Sequence, residues 1–462
     1  MTLSRIAGWA AVAATATVLT GFMVSSAGSF PIYTNQSVLP AGTELNEDTP
    51  VMPRELFKSD AIGGHRSYLV NLGDMAFSSP SILGDVARQA GISCDTCHLN
   101  GVSNPKFFMP GLSTHPGNFD TTGALFKPEA DNGVLDPVTI PSLRGARYLA
   151  PYGHDGRMAS LRDFVHNVIV NEFDGPEPSP QILDALVTYI QDIDFLPNPR
   201  IGENGRLAAN ASDAEKRGEA LFSKPFPHDP ALSCATCHQP SAAFVDHQQH
   251  DVGAGGLYKT PTLLNADFNA PYFHDGRYDS YDQVVAHFDR FYGLGLSAQD
   301  RSDLVAYLTA VGDGEQAMQP VSIDAQVQEI QHFDSVLDTA IPAHNLEVID
   351  LAVDTVGGEL RECTEDFPDR KDTSVDGGWP ERAKARAALK GLVLDLRRID
   401  AAAALGRFDE ARDALATYRK ELAEAVPLMK AAEPWSLFNP PVRTAHYMAM
   451  RQLFKSATRS VN

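Results

Sequence analysis

Two five-residue segments decide how this chain is interpreted: Cys94-Asp95-Thr96-Cys97-His98 and Cys234-Ala235-Thr236-Cys237-His238. The pattern C-x-x-C-H is the signature for covalent attachment of c-type haem. Two thiols one helical turn apart can add to the two vinyl groups of one porphyrin, and the adjacent histidine then serves as the proximal iron ligand. We therefore expect covalent haem at each cysteine pair, with His98 and His238 as the proximal ligands.

Two other chemistries use paired cysteines. A structural zinc site needs two such pairs close together, whereas these pairs lie 140 residues apart. A thioredoxin-like C-x-x-C opens a helix after a strand in a βαβ unit, and no such pattern surrounds either pair. The fifth cysteine, Cys363, has no partner left within the chain. We expect it to be an inert, partly buried thiol, and an intermolecular disulfide is the alternative.

Composition limits the class of protein. The chain has 462 residues, enough for two to four domains, and 43% of them are hydrophobic, which allows sizeable cores. The formal net charge is −21, from 38 Lys and Arg against 59 Asp and Glu. A surface this acidic repels phosphate backbones, so we expect no nucleic-acid partner, and it attracts a basic redox partner.

The N-terminus carries an export signal. Arg5 precedes an apolar stretch of 19 residues from Ile6 to Val24, and Ser25-Ser26-Ala27 supplies small residues of the kind that signal peptidase accepts. Nineteen apolar residues are also just long enough to span a bilayer. Residues 1–27 are therefore either a cleaved signal peptide or an N-terminal membrane anchor. We expect the remainder in the periplasm, where c-type haem is attached.

The regions behind the two motifs repeat each other. Residues 140–157 parallel residues 260–277, and both contain Ala-Pro-Tyr-x-His-Asp-Gly-Arg, with the histidines at His154 and His274. The first copy has about twenty additional residues between motif and repeat. This insert, residues 100–138, is rich in Gly, Pro and Asn and is typical of a loop that lies over a haem face.

Helix signals surround both copies, and no convincing strands accompany them. Ser79-Pro80 and the capping box Ser212-x-x-Glu215 predict helices ahead of the motifs, and Ser179-Pro180 and Ser297-x-x-Asp300 predict amphipathic helices behind the repeats. The pattern predicts a mainly α protein with two tandem cytochrome c-like domains, at residues 55–199 and 212–315.

A third region, residues 323–462, has a different composition and contains no haem motif. Helices are expected near 324–340, 343–361, 381–405, 407–425 and 441–457, with Gly406 between the third and the fourth, so the region predicts a helical bundle. Its histidines, His332, His344 and His446, are expected to be structural or exposed. We interpret the region as an accessory or docking module.

Taken together, these residues resemble the bacterial di-haem cytochrome c peroxidase and MauG superfamily. The resemblance spans roughly residues 60–312. Besides the two motifs and both H-D-G-R segments, it rests on Gly218-Glu-Ala-Leu-Phe222, Ser233–Pro240, Ala243-Phe-Val-Asp246 and Thr260–Asn265. It implies two haems with divided roles, one reacting with a peroxide and the other passing electrons, and a small cytochrome or cupredoxin as the electron donor. The family also has a calcium site between its haems, to which the sequence assigns no residues.

The resemblance also implies residues on the distal side of each iron. Glu172 matches the family's distal glutamate and is the candidate acid/base, with a solvated helix-end carboxylate as the alternative. In the second domain, Phe288 occupies the position of the sixth ligand and cannot bind iron, so its neighbour His287 is a candidate. Further distal candidates are His247, His250 and Met109, followed by Met158, His115 and His166, and an open position on the first iron is a further option. Arg157 and Arg277 are candidate partners for haem propionates.

One departure bears on function. The family's peroxidases have Trp in place of His154, between the haems, whereas this chain has Trp only at positions 9, 379 and 435. Electrons must then pass by another side chain or directly between haems. The leading interpretation is a periplasmic di-haem oxidoreductase that reduces hydrogen peroxide or uses it to oxidise a partner. The alternatives are an electron-transfer cytochrome without substrate chemistry and a haem enzyme with another substrate.

Overall fold

The described part of the chain is mainly helical, as the sequence predicts. The computed structural model describes residues 38–45, 49–61, 66–372 and 374–460, with residues 60, 61 and 451–460 described by their backbone alone. The predicted signal or anchor segment, residues 1–27, lies outside the described residues. Within them, every helix is too short or too polar to cross a bilayer.

The two sequence repeats contain matching series of helices. The first has α1 (Lys58–Ala61), α2 (Tyr68–Phe77), α3 (Asp85–Ala90), α4 (Cys94–Cys97), α5 (Leu161–Asn167), a π-helical turn (Val168–Glu172) and α6 (Pro180–Asp192). The second has α7 (Asp213–Phe222), α8 (Cys234–Cys237), α9 (Tyr281–Tyr292) and α10 (Ala298–Gly312). Helix α2 packs on α6 as α7 packs on α10.

A glycine permits each of these helix crossings. A Cβ on Gly73 of α2 would lie 2.1 Å from the Ala185 carbonyl oxygen of α6, and a Cβ on Gly218 of α7 would lie 2.1 Å from the Asp303 carbonyl oxygen of α10. Backbones this close leave no room for a side chain, and glycine is the residue that allows the approach. Both repeats therefore depend on the same close contact between their first and last long helices.

The crossing also positions an aromatic group beside each motif histidine. The Phe77 and Tyr189 ring centroids lie 5.0 Å apart, and Phe77 lies 6.4 Å from His98. In the second repeat the Phe222 and Tyr307 centroids are also 5.0 Å apart, and Phe222 lies 6.4 Å from His238. All four of these tyrosine and phenylalanine side chains are buried. The same hydrophobic wall therefore supports the histidine in each repeat.

Three short two-stranded ladders were not expected from the sequence. Strands β2 (Asn118–Phe119) and β3 (Val138–Thr139) pair within the first repeat, and β4 (Gln249–Asp251) and β5 (Leu257–Lys259) pair within the second. Strand β1 (Val51–Pro53) pairs with β6 (Met318–Pro320) and so joins the start of the first repeat to the start of the C-terminal region. Strands of two or three residues carry too little alternation to be recognised in a sequence.

The C-terminal region is helical: α11 (Ile323–Asp334), α12 (Leu337–Ala340), α13 (Leu346–Glu365), α14 (Trp379–Ala404), α15 (Phe408–Ala432) and α16 (Pro440–Ser460). Helices α14 and α15 pack together about a turn at Gly406, which has φ +71°. Helices α11 and α13 contact α2 of the first repeat. The region therefore rests on the first repeat, where His332 Nε2 lies 3.1 Å from a carboxylate oxygen of Asp74.

Most predicted helix starts agree with the structure. The capping boxes at Ser212 and Ser297 are formed, and Ser179 caps α6. The prediction that a helix begins at Ser79-Pro80 is wrong. Residues 80–82 form a single 3₁₀ turn, and α3 begins after Gly84. The reason is tertiary. The Gly84 N–H donates to the Phe173 carbonyl at 3.0 Å, and this close contact turns the chain before the helix can begin.

The glycine crossing predicts a stability difference between two Gly→Ala variants. Gly218→Ala is expected to lower the free energy of unfolding by about 1–3 kcal/mol, because the new Cβ would lie 2.1 Å from a carbonyl oxygen of α10. Gly391→Ala in α14 is the matched control, since nothing lies within 4 Å of its Cβ position. It is expected to gain up to ~1 kcal/mol from helix propensity. Urea unfolding followed by circular dichroism measures both, and a stabilised Gly218→Ala variant would contradict the close crossing.

Candidate active site

Both C-x-x-C-H segments have the same local structure. Each pair of cysteines forms one helical turn, and a capping box closes its start, through Ser93 and Thr96 in α4 and through Ser233 and Thr236 in α8. All four cysteines are free thiols. Burial raises the pKa of Cys94, Cys97 and Cys234 to about 12, so these side chains are neutral. In each pair the two thiols lie one helical turn apart, the arrangement expected for attachment to the two vinyl groups of one porphyrin.

Each motif histidine is held in one tautomer by the backbone. The Nδ1 atom of His98 lies 2.9 Å from the Pro141 carbonyl oxygen, and Nδ1 of His238 lies 3.2 Å from that of Phe244. A carbonyl only accepts, so Nδ1 carries the proton and Nε2 keeps its lone pair. Burial lowers the pKa of His98 to about 4 and also lowers that of His238. Two neutral imidazoles with oriented Nε2 atoms fit the proximal ligands of two haems.

Glu172, the candidate acid/base, lies in the π-helical turn of the first repeat and is 9% exposed. Its Oε1 accepts from Arg157 Nη2 at 2.9 Å and from Asn167 Nδ2 at 3.0 Å. Burial raises the pKa of Glu172, and Arg157 opposes this increase. A carboxyl group that keeps its proton to a higher pH, with one oxygen fixed by two donors, is suited to exchange a proton at the other oxygen. The alternative, a solvated carboxylate at a helix end, does not describe this environment.

His287 has no ring nitrogen left for iron in this arrangement. Its Nδ1 lies 2.9 Å from the Tyr278 hydroxyl, and its Nε2 lies 2.7 Å from the Val252 carbonyl oxygen. The neighbouring Phe288 packs on Phe273. The expectation that His287 is a sixth iron ligand is therefore corrected, because protein groups bind both of its ring nitrogens. The sequence shows that a histidine is present at this position but does not show these hydrogen bonds.

The other distal candidates lie in different settings. His247 is exposed, and its Nδ1 contacts the Ala150 carbonyl oxygen of the first repeat at 2.7 Å. His250 Nε2 lies 2.6 Å from Asp246, and both side chains lie within 4.8 Å of the Cys237 sulfur, a grouping that could hold a metal ion only if Cys237 were not used for haem. Met109 is fully buried in the insert. The structure does not bring these three together, and their ligand roles stay predictions.

The remaining candidates have protein partners at the surface or between the repeats. His166 Nε2 lies 2.9 Å from Glu177. His115 Nε2 lies 3.0 Å from the Asp275 carbonyl oxygen of the second repeat, and Met158 forms a backbone bridge with Tyr152. Arg157 is engaged by Glu172, and Arg277 pairs with Asp275 at 2.6 Å. The two arginines thus already have carboxylate partners within the protein.

The two repeats meet through exchanged contacts at their H-D-G turns. The Thr139 N–H donates to the His274 carbonyl at 2.7 Å, and the Lys259 N–H donates to the His154 carbonyl at 2.9 Å. Thr139 and Lys259 are the last residues of β3 and β5, so the contacts are equivalent in the two repeats. Burial lowers the pKa of His154 to about 4, and Tyr258 stacks on His274 with centroids 3.6 Å apart. These two histidines hold the interface together.

Sequence reasoning missed three functional positions. Lys259 binds the Leu149 and Pro151 carbonyl oxygens through Nζ, each at 2.8 Å, and so clamps the turn of the first repeat. Asn167 orients Glu172, and Tyr278 binds His287. A position-by-position alignment of the two repeats draws attention to Asn167 and Tyr278, because Asn167 corresponds to His287 and Tyr278 corresponds to Met158.

Comparisons with known proteins identify relatives of this chain. Residues 213–340 match the family described as di-haem cytochrome c peroxidase. Hydrazine synthase subunit gamma of Kuenenia stuttgartiensis is 26% identical over 307 residues, which cover 53% of this chain and 78% of that one. Cytochrome c551 peroxidase of Nitrosomonas europaea is 21% identical over 296 residues, covering 55% and 83%.

A third relative decides the family. The methylamine utilization protein MauG of Methylorubrum extorquens is 33% identical over 291 residues, which cover 52% of this chain and 76% of the relative. This match leaves nearly half of the present chain uncovered. The chain belongs to the di-haem cytochrome c peroxidase and MauG family of haem-containing oxidoreductase enzymes.

Proposed function

We propose that this protein is a periplasmic di-haem c-type oxidoreductase that reduces hydrogen peroxide, or uses it to oxidise a partner, with electrons passing between its two haems. The observation that carries the proposal is the duplicated motif. In both copies, two neutral thiols lie on one helical turn beside a neutral histidine whose Nδ1 is bound by a carbonyl oxygen. Cys94, Cys97 and His98 would hold one haem, and Cys234, Cys237 and His238 the other.

The proposal divides the chain by role. Residues 55–199 and 212–315 would form the two haem domains, and residues 323–462 an accessory helical domain that rests on the first. The exported N-terminal segment supports a periplasmic location, because covalent haem attachment takes place outside the cytoplasm. The acidic surface favours a positively charged donor such as a small cytochrome or a cupredoxin. The relative named cytochrome c551 peroxidase supports both a peroxide substrate and a cytochrome donor.

When bound, haem supplies an iron centre that exchanges single electrons and activates peroxides. The residues of this chain supply proton transfer and orientation. Reduction of hydrogen peroxide to two waters consumes two electrons and two protons. Glu172 would accept the proton from one peroxide oxygen and return it to the other as the O–O bond breaks. Arg157 and Asn167 hold Oε1 and so orient the carboxyl group. Burial raises the pKa of Glu172 and so favours its protonated form.

Counting thiols tests covalent attachment. The chain has five cysteines, and attachment of two haems leaves Cys363 alone. This side chain is fully buried, and burial raises its pKa well above the usual value. A thiol reagent is therefore expected to label none in the native protein and one after denaturation. The variant Cys363→Ala is expected to show none in either state. Four or five thiols in the denatured protein, or a mass lacking two haems, would contradict the proposal.

Replacing Glu172 tests the acid/base assignment. Glu172→Gln is expected to lower the rate of peroxide turnover by roughly 10²–10⁴-fold, since the amide cannot exchange a proton while it keeps the size of the carboxyl group. Steady-state oxidation of a reduced small cytochrome measures this rate. Glu177→Gln is the matched control, because Glu177 is exposed and pairs with His166. Full turnover by Glu172→Gln would remove the assignment.

The same variant tests the raised pKa without measuring activity. Burial gives Glu172 a higher pKa in the folded protein than in the unfolded chain. Protonation of Glu172 therefore stabilises the fold, fully below about pH 4.5, and this stabilisation is lost as pH rises through the folded-state pKa. Wild type is therefore expected to lose stability relative to Glu172→Gln over this range, by at most about 1.4 kcal/mol per pH unit. Urea unfolding of both proteins at pH 4.5 and pH 7 checks the sign, and a difference independent of pH would contradict it.

A further inference from the structure

The Tyr278 and His287 side chains form a hydrogen bond whose direction the structure determines. Tyr278 Oη lies 2.9 Å from His287 Nδ1, and His287 Nε2 lies 2.7 Å from the Val252 carbonyl oxygen. The carbonyl can only accept, so Nε2 carries the imidazole proton and Nδ1 is an acceptor. Tyr278 therefore donates its phenolic proton to a neutral histidine.

Aromatic side chains pack around this pair, and the hydrogen bond between Tyr278 and His287 is partly buried. Phe273 meets Tyr278 edge-on at 4.9 Å and meets His287 at the same distance. Phe291 lies parallel to the His287 ring, with centroids 6.0 Å apart. His287 itself is 9% exposed. Among the described residues, the acceptor at hydrogen-bond distance from the phenol is His287 Nδ1, at 2.9 Å.

The backbone fixes both partners. Tyr278 and Tyr272 form a backbone bridge, in which the Tyr272 N–H donates to the Tyr278 carbonyl at 2.7 Å. On the other side, Gly253 follows the accepting carbonyl of Val252, and its backbone lies so close to the Phe291 ring that a Cβ there would lie 2.7 Å from it. The glycine has φ +71°. The pair is therefore part of a rigid arrangement rather than a contact between two mobile side chains.

The first repeat provides an internal comparison. Met158 and Asn167 occupy the positions of Tyr278 and His287, and Asn167 donates to Glu172 instead. The same framework thus carries a carboxyl group for proton exchange in one repeat and a phenol bound to an imidazole in the other. The two repeats thus have different polar groups at equivalent positions of the same framework. Because the framework is shared, its packing does not explain why these groups differ.

We propose that Tyr278 and His287 form a proton-coupled redox site that holds one oxidising equivalent in the second repeat. The proposal rests on the proposed function, since hydrogen peroxide is the oxidant. In the step, the peroxide-oxidised protein takes one electron from Tyr278, and the phenolic proton moves to His287 Nδ1, which leaves a neutral tyrosyl radical and an imidazolium. One electron from the donor protein returns the proton to the phenolate oxygen. Peroxide is a two-electron oxidant, whereas a cytochrome donates single electrons. A site that holds one oxidising equivalent allows the two electrons to be delivered one at a time.

Electron paramagnetic resonance of the full-length holoenzyme tests the proposal. Samples made with ring-deuterated tyrosine are frozen within a second of adding one equivalent of hydrogen peroxide, and a second set is oxidised by a photoexcited ruthenium complex with a sacrificial acceptor. Wild type is expected to give a tyrosyl radical with both oxidants. Tyr278→Phe is expected to lower its yield at least tenfold. Tyr292→Phe is the matched control, since its ring lies on the same helix as His287, and it is expected to keep the signal.

A second measurement uses wild type alone, so the test does not depend on the folding of a variant. Double-resonance spectra in H₂O and D₂O are expected to show one exchangeable proton coupled to the phenoxyl oxygen, donated by His287. A radical without this proton, an undiminished radical in Tyr278→Phe, or no tyrosyl radical with either oxidant overturns the proposal. If peroxide leaves the haem absorption unchanged while the photo-oxidant still produces the Tyr278 radical, the proposed peroxide chemistry fails and the redox pair stands.

Discussion

The hydrogen bond between each motif histidine and a backbone carbonyl is the interaction on which the rest of the structure depends. An imidazole beside two thiols could take either tautomer, or a proton, and only one of these states presents Nε2 as a ligand. The carbonyl oxygens of Pro141 and Phe244 select that state, and burial beside Phe77 and Phe222 keeps the rings neutral. The helix crossings at Gly73 and Gly218 bring those phenylalanines into place. Tautomer, charge and orientation thus follow from helix packing.

Within this common framework, the two repeats differ at a few equivalent positions. In the first repeat Asn167 ends α5 and its partner Glu172 ends the π-helical turn, and His287 and Tyr292 occupy the corresponding positions in the second. A buried carboxyl group exchanges protons without changing its oxidation state, whereas a phenol bound to an imidazole can lose an electron and a proton together. Under the two proposals made above, a few substitutions at equivalent positions of one duplicated fold would assign proton transfer to one repeat and electron storage to the other.

Local signals predicted the helices well, and tertiary contacts account for the errors. Capping boxes at Ser212 and Ser297 require only residues three positions apart, and Gly406 marks a turn by its own conformation, so the sequence contains this information. The start of α3 depends on the distant Phe173 carbonyl. The position of His287 depends on Tyr278 and on Val252, which lies 35 residues away. Spacing identifies which residues can bind iron, but the competing partners of a nitrogen become visible only when the chain is folded.

The interface between the repeats bears on how electrons cross without a tryptophan. His154, which stands in its place, donates from Nε2 to the Thr139 carbonyl at 2.8 Å, and its lowered pKa keeps it neutral. A neutral side chain at this position adds no charge of its own, and the charge nearby belongs to Lys259, whose Nζ binds the Leu149 and Pro151 carbonyl oxygens of the first repeat. The stacked rings of Tyr258 and His274 add a second packed contact at the same boundary. The equivalent backbone bonds of Thr139 and Lys259 join the two repeats at the position where the family's peroxidases have tryptophan.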